Sequence, residues 1–243
     1  MTYCLGIKVN EGMIFASDSR TNAGLDDFSV HSKMFNYSVG DRCVVILTSG
    51  NLSTSQAVFH SIESDLKSAV ITDRNLNICK DLEEVADYVG SLSAKHSKIK
   101  YEVSEHGDID FGSYFIVGGQ IQDQSQKMFL IYPQGNFIEC SENNPFFQIG
   151  ETKYGKPILD RIINLDISLG DAARAALVSL DSTMRSDLSV GPPIDFLVYK
   201  KDKINLDIRD KIRLDSPYFK DLSDMWHDKL KSSFQELPKF DWE

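Results

Sequence analysis

The sequence predicts an α+β fold, a four-layer αββα sandwich. Strand-like segments come in groups, and helical segments come in pairs between those groups. No linker, internal repeat or low-complexity stretch divides the chain. A βαβ sheet would alternate single strands with single helices, so helix pairs between antiparallel strand groups argue against it. Two stacked sheets with a helix layer outside each accommodate that order. The expectation is one domain over residues 1–243, with about 216–243 as a C-terminal extension.

Residues 2–9 read as a strand with Leu5, Ile7 and Val9 on one face. Asn10-Glu11-Gly12 turns into a second strand at 13–19, so the chain opens with a hairpin. Residues 20–32 are polar and contain glycine, and read as a loop. Strands at 34–39 and 43–49 flank a Gly40-Asp41 turn. A helix at about 52–69 sets Val58, Ile62 and Leu66 four residues apart. Another opens near Asp81, with Glu84 as its capping partner and Leu82, Val85, Val89 and Leu92 as its stripe. Strands return at 111–119, 127–133 and 136–140, with turns at Asp123-Gln124 and Gly135. The second helix pair covers about 152–166 and 169–185, and the latter aligns Ala173, Leu177, Leu180 and Met184. Strands at 194–200 and 204–210 follow, and Pro217 leads into an amphipathic helix at about 218–233.

Composition narrows the function classes. With 243 residues and 42% hydrophobic content the chain can bury a large core, which excludes disorder as its overall state. Its 26 basic residues against 36 acidic ones give a net charge of -10, which disfavours nucleic acid or an anionic membrane as partner. Cys4, Cys43, Cys79 and Cys140 are far apart and form no CxxC pair, so they read as inert reduced thiols. The five histidines show no HxH or HExxH spacing, and neither a metal nor another cofactor is expected. The first residues carry no basic-plus-apolar leader, and no run approaches about 18 apolar residues. A cytoplasmic protein is the expectation.

Thr2 is the first candidate for chemistry. As a strand residue it needs no further explanation. Its small side chain, however, suits removal of Met1, which would leave an α-amine beside the hydroxyl. Such an amine has an ordinary pKa of about 7.7–8.0 and can act as general base for its own residue's nucleophile. Asp18 follows Ile14 and Ala16 on an apolar face and needs a partner, for which Lys33 is the natural cation. The pair is either an ordinary salt bridge or a device that holds a positive charge beside Thr2. Gly50, between an apolar strand and a helix, is either a plain turn or the donor of an oxyanion-binding N–H.

Taken together, Met1-Thr2-Tyr3-Cys4, FASDSRTNAG at 15–24, Lys33 and SGNLSTSQ at 49–56 resemble the proteasome β-type family of N-terminal nucleophile hydrolases. FQIGETKYGKPILDR at 147–161 and DSTMRSDLSVGPPIDFLVYK at 181–200 are similar to its bacterial ancestral-β-subunit (Anbu) branch. The resemblance implies the four-layer fold, Thr2 as nucleophile, Asp18 as the acid that neutralises Lys33, Lys33 as the group that tunes the amine, and Gly50 N–H as oxyanion donor. Arg20 matches a bracing basic residue. Where the family has Ser–Gly–Ser, this chain has Gly150-Glu151-Thr152. Where it has Asp-x-x-Ser-Gly-Gly, this chain runs Ser186-Asp187-Leu188-Ser189-Val190-Gly191. Asp187 and Ser189 are then the expected holders of the amine, with Ser186 and Glu151 in supporting places.

Two functions follow from the resemblance. One is a threonine-type peptidase or amidohydrolase acting on a peptide or other amide. The other is a self-assembling oligomer, a ring or open helix of one subunit type, whose site is weak or silent. Phe219, Leu222, Trp226, Leu230, Phe234 and Phe240 make the chain end apolar, either for docking on a neighbour or for packing on its own subunit.

Overall fold

The computed structural model describes residues 2–22, 28–68, 74–103, 109–206 and 208–243. Two five-stranded antiparallel sheets face each other. The first contains β1 (Tyr3–Val9), β2 (Gly12–Ser17), β10 (Phe146–Gly150), β11 (Ile194–Lys200) and β12 (Ile208–Ile212), in the order β10-β1-β2-β11-β12. The second contains β5 (Met34–Val39), β6 (Arg42–Gly50), β7 (Ser113–Ile121), β8 (Lys127–Ile131) and β9 (Phe137–Glu139), in chain order. A short ribbon, β3 (Arg20–Asn22) paired with β4 (Phe28–Val30), lies apart.

Strand alternation builds three apolar layers from these two sheets. Leu5, Ile7, Ile14 and Ala16 face outward and pack with α3 (Lys156–Ile162), α4 (Leu169–Ser186) and α5 (Pro217–Gln235). Val44, Ile46, Phe115 and Val117 face outward from the other sheet, under α1 (Leu52–Lys67) and α2 (Leu82–Val103). The intervening residues Cys4, Met13, Phe15, Val45, Leu47, Ile116 and Met128 meet between the sheets. The αββα order follows, as the sequence predicts.

The helices start where their caps stand. Asn51 Oδ1 accepts from Thr54 N at 3.1 Å, Asp81 Oδ1 from Glu84 N at 2.8 Å, and Ser168 Oγ from Asp171 N at 3.0 Å. Each cap satisfies a backbone donor that the first helical turn leaves open.

Several boundaries differ from expectation. Residues 20–32 are not all loop: Arg20 pairs with Val30 and Thr21 with Ser29, in strands of three residues each, too short for a periodicity to announce them. Residues 23–27 of that stretch lie outside the described residues. The strand Phe146–Gly150 was not expected, because a five-residue apolar run between Pro145 and Glu151 carries too little periodicity. It pairs with β1 and completes the first sheet. The last strand lies at 208–212 rather than 204–210, as a charged and mostly exposed edge. The third helix starts only at Lys156, where Pro157 fits the first turn, and ends at Ile162.

The C-terminal helix packs on its own subunit through Phe219 and Leu222. Ser223 Oγ donates to Asp181 Oδ1 of α4 at 2.7 Å, and Arg185 ties both together. Beyond that contact, Leu230, Phe234, Phe240 and Trp242 stay exposed, Trp242 at 78%.

Candidate active site

The site forms where β1, β2 and β6 end on the same side of the sandwich. Thr2 stands one residue before β1, half-buried. Its carbonyl accepts from Glu151 N at 2.6 Å. That close approach needs glycine at 150, where φ is +87° and an added Cβ would stand 1.9 Å from Thr2 O. Tyr3 anchors the next position. Its N donates to Asp18 Oδ1 at 3.0 Å and its carbonyl accepts from Asp18 N at 3.0 Å. The buried Tyr3 hydroxyl bonds Ser179 Oγ at 2.5 Å and accepts from Gln148 Nε2 at 2.6 Å. Burial pushes the phenol up to about 12, so it stays a neutral anchor.

Asp18 directly follows β2 and is fully buried. Lys33 Nζ donates to its Oδ1 at 2.7 Å and to Arg20 O at 2.6 Å. Gly191 N donates to the other carboxylate oxygen at 3.2 Å. Burial pushes the Asp18 carboxyl above its ordinary range, opposed by the Lys33 charge and by the two backbone donors. Lys33, only 6% exposed, lies one residue before β5, where its carbonyl accepts from Thr48 N at 3.0 Å. The expected pair is therefore present, with both backbone segments fixed by sheet hydrogen bonds.

Gly50 closes β6 with φ +104°, a value that favours glycine, and an added Cβ would stand 2.6 Å from Gly112 O. Thr2, Ser49 and Gly50 form a saddle between two clefts, each of about 460 Å³. One cleft also contains Lys33, Ser32, Thr48 and Phe35. The other contains Tyr114, Leu130 and Ile149. Thr2, Lys33 and Gly50 thus share a single cavity, with Asp18 behind it.

The supporting residues divide. Arg20 Nη1 donates to Leu188 O at 2.6 Å, bracing the loop after α4, and its backbone N donates to Gly191 O at 3.2 Å. In that loop Ser189 Oγ and N donate to Asp187 Oδ1 at 2.6 and 2.8 Å. Burial works to raise the Asp187 carboxyl, but these two bonds together with nearby positive charge, that of Lys153 included, hold the group below its ordinary range. Asp187 Oδ2 is buried with no hydrogen-bond partner among the described residues. Ser186 is exposed at the last turn of α4 and joins none of these contacts. Glu151 is buried but accepts from Lys153 N at 3.3 Å; it meets Thr2 only through its backbone N–H.

The four cysteines are free and buried, and burial raises each thiol, Cys43 and Cys79 to about 11. They supply no competing nucleophile at neutral pH. No described helix is long and apolar enough to cross a membrane.

The proteasome subunit family model matches residues 2–199. The chain belongs to the proteasome subunit family. Within that family it groups with the Anbu (ancestral β-subunit) branch. Anbu from Yersinia bercovieri is 37% identical, with a TM-score of 0.92 over 99% of this chain and 100% of that one. The helical assembly of the Anbu complex from Pseudomonas aeruginosa is also 37% identical, with a TM-score of 0.90 over 98% of each chain. Proteasome subunit beta 2 of Thermofilum pendens is 23% identical over 198 residues, 81% of this chain and 87% of that one. The αββα architecture is the N-terminal nucleophile hydrolase fold of this family.

Several further residues belong to this proteasome-type site. Gly191 holds Asp18 through a backbone N–H, which every residue but proline offers, while its being glycine answers to the Arg20 guanidinium packed where a Cβ would stand. Tyr3 and Gln148 are separated by 145 positions and become neighbours only through the β1–β10 pairing. Ser32 Oγ donates to the buried Asp195 Oδ2 at 2.8 Å, tying the residue before Lys33 to β11. Asp195 was legible as a lone acid in an apolar strand.

Proposed function

We propose that this chain is a self-assembling subunit of proteasome type, and that Thr2 is the nucleophile of a threonine-type amide hydrolase centre within it. The assembly part has the broader support. A relative 37% identical over 98% of this chain is described as a helical assembly, and apolar residues stay exposed along the C-terminal segment. The hydrolytic part rests on one observation: a buried Asp18–Lys33 pair that opens into the same cavity as Thr2 and Gly50.

The chemistry requires Thr2 at the terminus, hence removal of Met1. The Thr2 α-amine then takes the proton of its own hydroxyl, directly or through a water, as Thr2 Oγ attacks the amide carbonyl. Gly50 N–H receives the oxyanion. The nearby Lys33 ammonium keeps the amine unprotonated and stabilises the developing alkoxide, while Asp18 holds Lys33 in place. The amine passes the proton to the leaving nitrogen, the C–N bond breaks and an ester remains on Thr2. A water then attacks the ester, losing its proton to the amine, and Thr2 regains its hydroxyl. Asp187, through its unpartnered buried oxygen, and Ser189 are the proposed holders of the amine.

The second reading is an assembly with a silent site, and it follows if Met1 stays and the nitrogen of Thr2 remains an amide. Intact mass after expression, then treatment with a peptide epoxyketone, separates the two. Loss of Met1 with one adduct on Thr2, absent in Thr2→Ala, is the expected result. A retained Met1, or a processed chain that takes no adduct, leaves the silent assembly.

A further inference from the structure

The two clefts beside Thr2 are unequal in chemistry, and the difference comes from strand alternation. On β6, Val45 and Leu47 point between the sheets, and Ser49 continues that row. On β7 and β8, Ile116 and Met128 lie between the sheets, and Tyr114 and Leu130 are the next residues on the same side. Ile149 does the same on β10, opposite Cys4. Thr2 precedes Cys4 by two, so it stands at the end of that row too. The cleft formed by Thr2, Ser49, Gly50, Tyr114, Leu130 and Ile149 is therefore the open mouth of the inter-sheet core. Gln148 and Thr152 also border it, and among the described residues no acidic or basic side chain lines it. The cleft on the other side contains Lys33, His31, His60 and Glu63.

We propose that this uncharged mouth is a specificity subsite, which takes an apolar, uncharged residue on one side of the amide bond broken at Thr2. It rests on the hydrolytic reading of Thr2. Its volume of about 460 Å³ suits a side chain of leucine to phenylalanine size with the adjoining backbone. A charged group entering it would lose water and find no counter-charge, whereas an apolar group extends the packed layer behind. Tyr114 and Leu130 set that preference. The opposite cleft leaves the other flank free to be polar.

The experiment uses the full chain with Met1 removed and a peptide mixture randomised on both sides of a central bond, with products read by mass spectrometry. An epoxyketone adduct on Thr2 is measured in parallel. The wild-type chain is expected to enrich uncharged apolar residues at one flanking position by about tenfold over acidic ones, the factor that roughly 1.4 kcal/mol of discrimination gives. Tyr114→Lys, at an exposed position that tolerates the change, is expected to bring acidic residues up at that same position by about tenfold and leave the other flank unchanged. Leu130→Lys provides a second, independent reversal. If the epoxyketone marks Thr2 but Tyr114→Lys and Leu130→Lys leave every positional preference as it was, the subsite is wrong and the hydrolytic reading stands. If a processed chain neither cleaves nor takes the adduct, the hydrolytic reading falls and the subsite with it.

Discussion

The two ends of the inter-sheet layer are finished differently. At the end near the β1–β2 turn, hydrogen-bonded polar side chains centred on two glutamines close the gap between the sheets. Gln120 Oε1 accepts from Tyr199 OH and from Asp202 N, the latter at 3.0 Å, while Gln120 Nε2 donates to Asp202 Oδ1 at 2.8 Å. Gln126 Nε2 crosses to Val9 O at 2.7 Å. At the other end, an ion pair stands behind Thr2 and the layer is left open. This glutamine-centred network takes in the Asp202 carboxylate and closes the core, with Gln126 Oε1 left without a hydrogen-bond partner among the described residues. A buried ion pair adds little net stability but keeps a full charge close to a cleft.

Breaking the open end has the largest expected effect. Asp18→Ala leaves the Lys33 ammonium buried against Arg20 O without its counter-charge, and removal of one partner from such a pair costs about 3–5 kcal/mol. Urea denaturation reads that as a lower midpoint at unchanged slope. Epoxyketone labelling of Thr2 should vanish in any fraction that still folds. A loss below about 1 kcal/mol, the worth of an exposed pair, would mean that Lys33 reaches water and that the site lacks the field assigned to it.

The closed end sharpens the contrast. Gln120→Leu removes the acceptor of the buried Tyr199 hydroxyl, which costs roughly 1–3 kcal/mol, while the N–H of the exposed Asp202 can turn to water. Thr2 labelling is expected to stay at the wild-type rate under conditions where the variant is folded. A large drop in labelling would show that the two ends are coupled through the sheets, and the division of labour would fail.

How much of this was legible in the sequence depends on whether the signal was a side chain or a backbone. The strand pairs around 2–19 and 34–49 were readable, because Leu5, Ile7 and Val9 alternate and the turns carry glycine. Asp18 and Lys33 were readable as a pair, since each is a charge next to an apolar strand. Gly191 N–H on Asp18 and Glu151 N–H on Thr2 O were not, because backbone donors have no residue code. The ribbon of Arg20–Asn22 with Phe28–Val30 and the edge strand at 208–212 share a related reason. Both are held by backbone pairing over too few residues for a periodicity to stand out. The motif places Ser186 beside the site, yet the last turn of α4 leaves it exposed.

The smallest expected effect concerns the loop that carries Gly191 to Asp18. Asp187, at its start, is held below the ordinary carboxyl range by Ser189 and nearby positive charge, although its burial works the other way. Because folding lowers this pKa, the unfolded chain keeps the proton to higher pH than the native one does. The contribution is therefore complete above the ordinary carboxyl pKa of about 3.9, and it is lost as pH falls through the native value below that. Ser189→Ala removes the hydroxyl donor and keeps the backbone one, so the acid limb of a stability–pH curve should flatten while stability near pH 7 drops by about 0.5–1.5 kcal/mol. An unchanged acid limb with an equal drop at all pH values would assign Ser189 to packing alone. The steeper limb in the wild type is what marks Asp187 as an anion in the native state, with one buried oxygen unpartnered among the described residues.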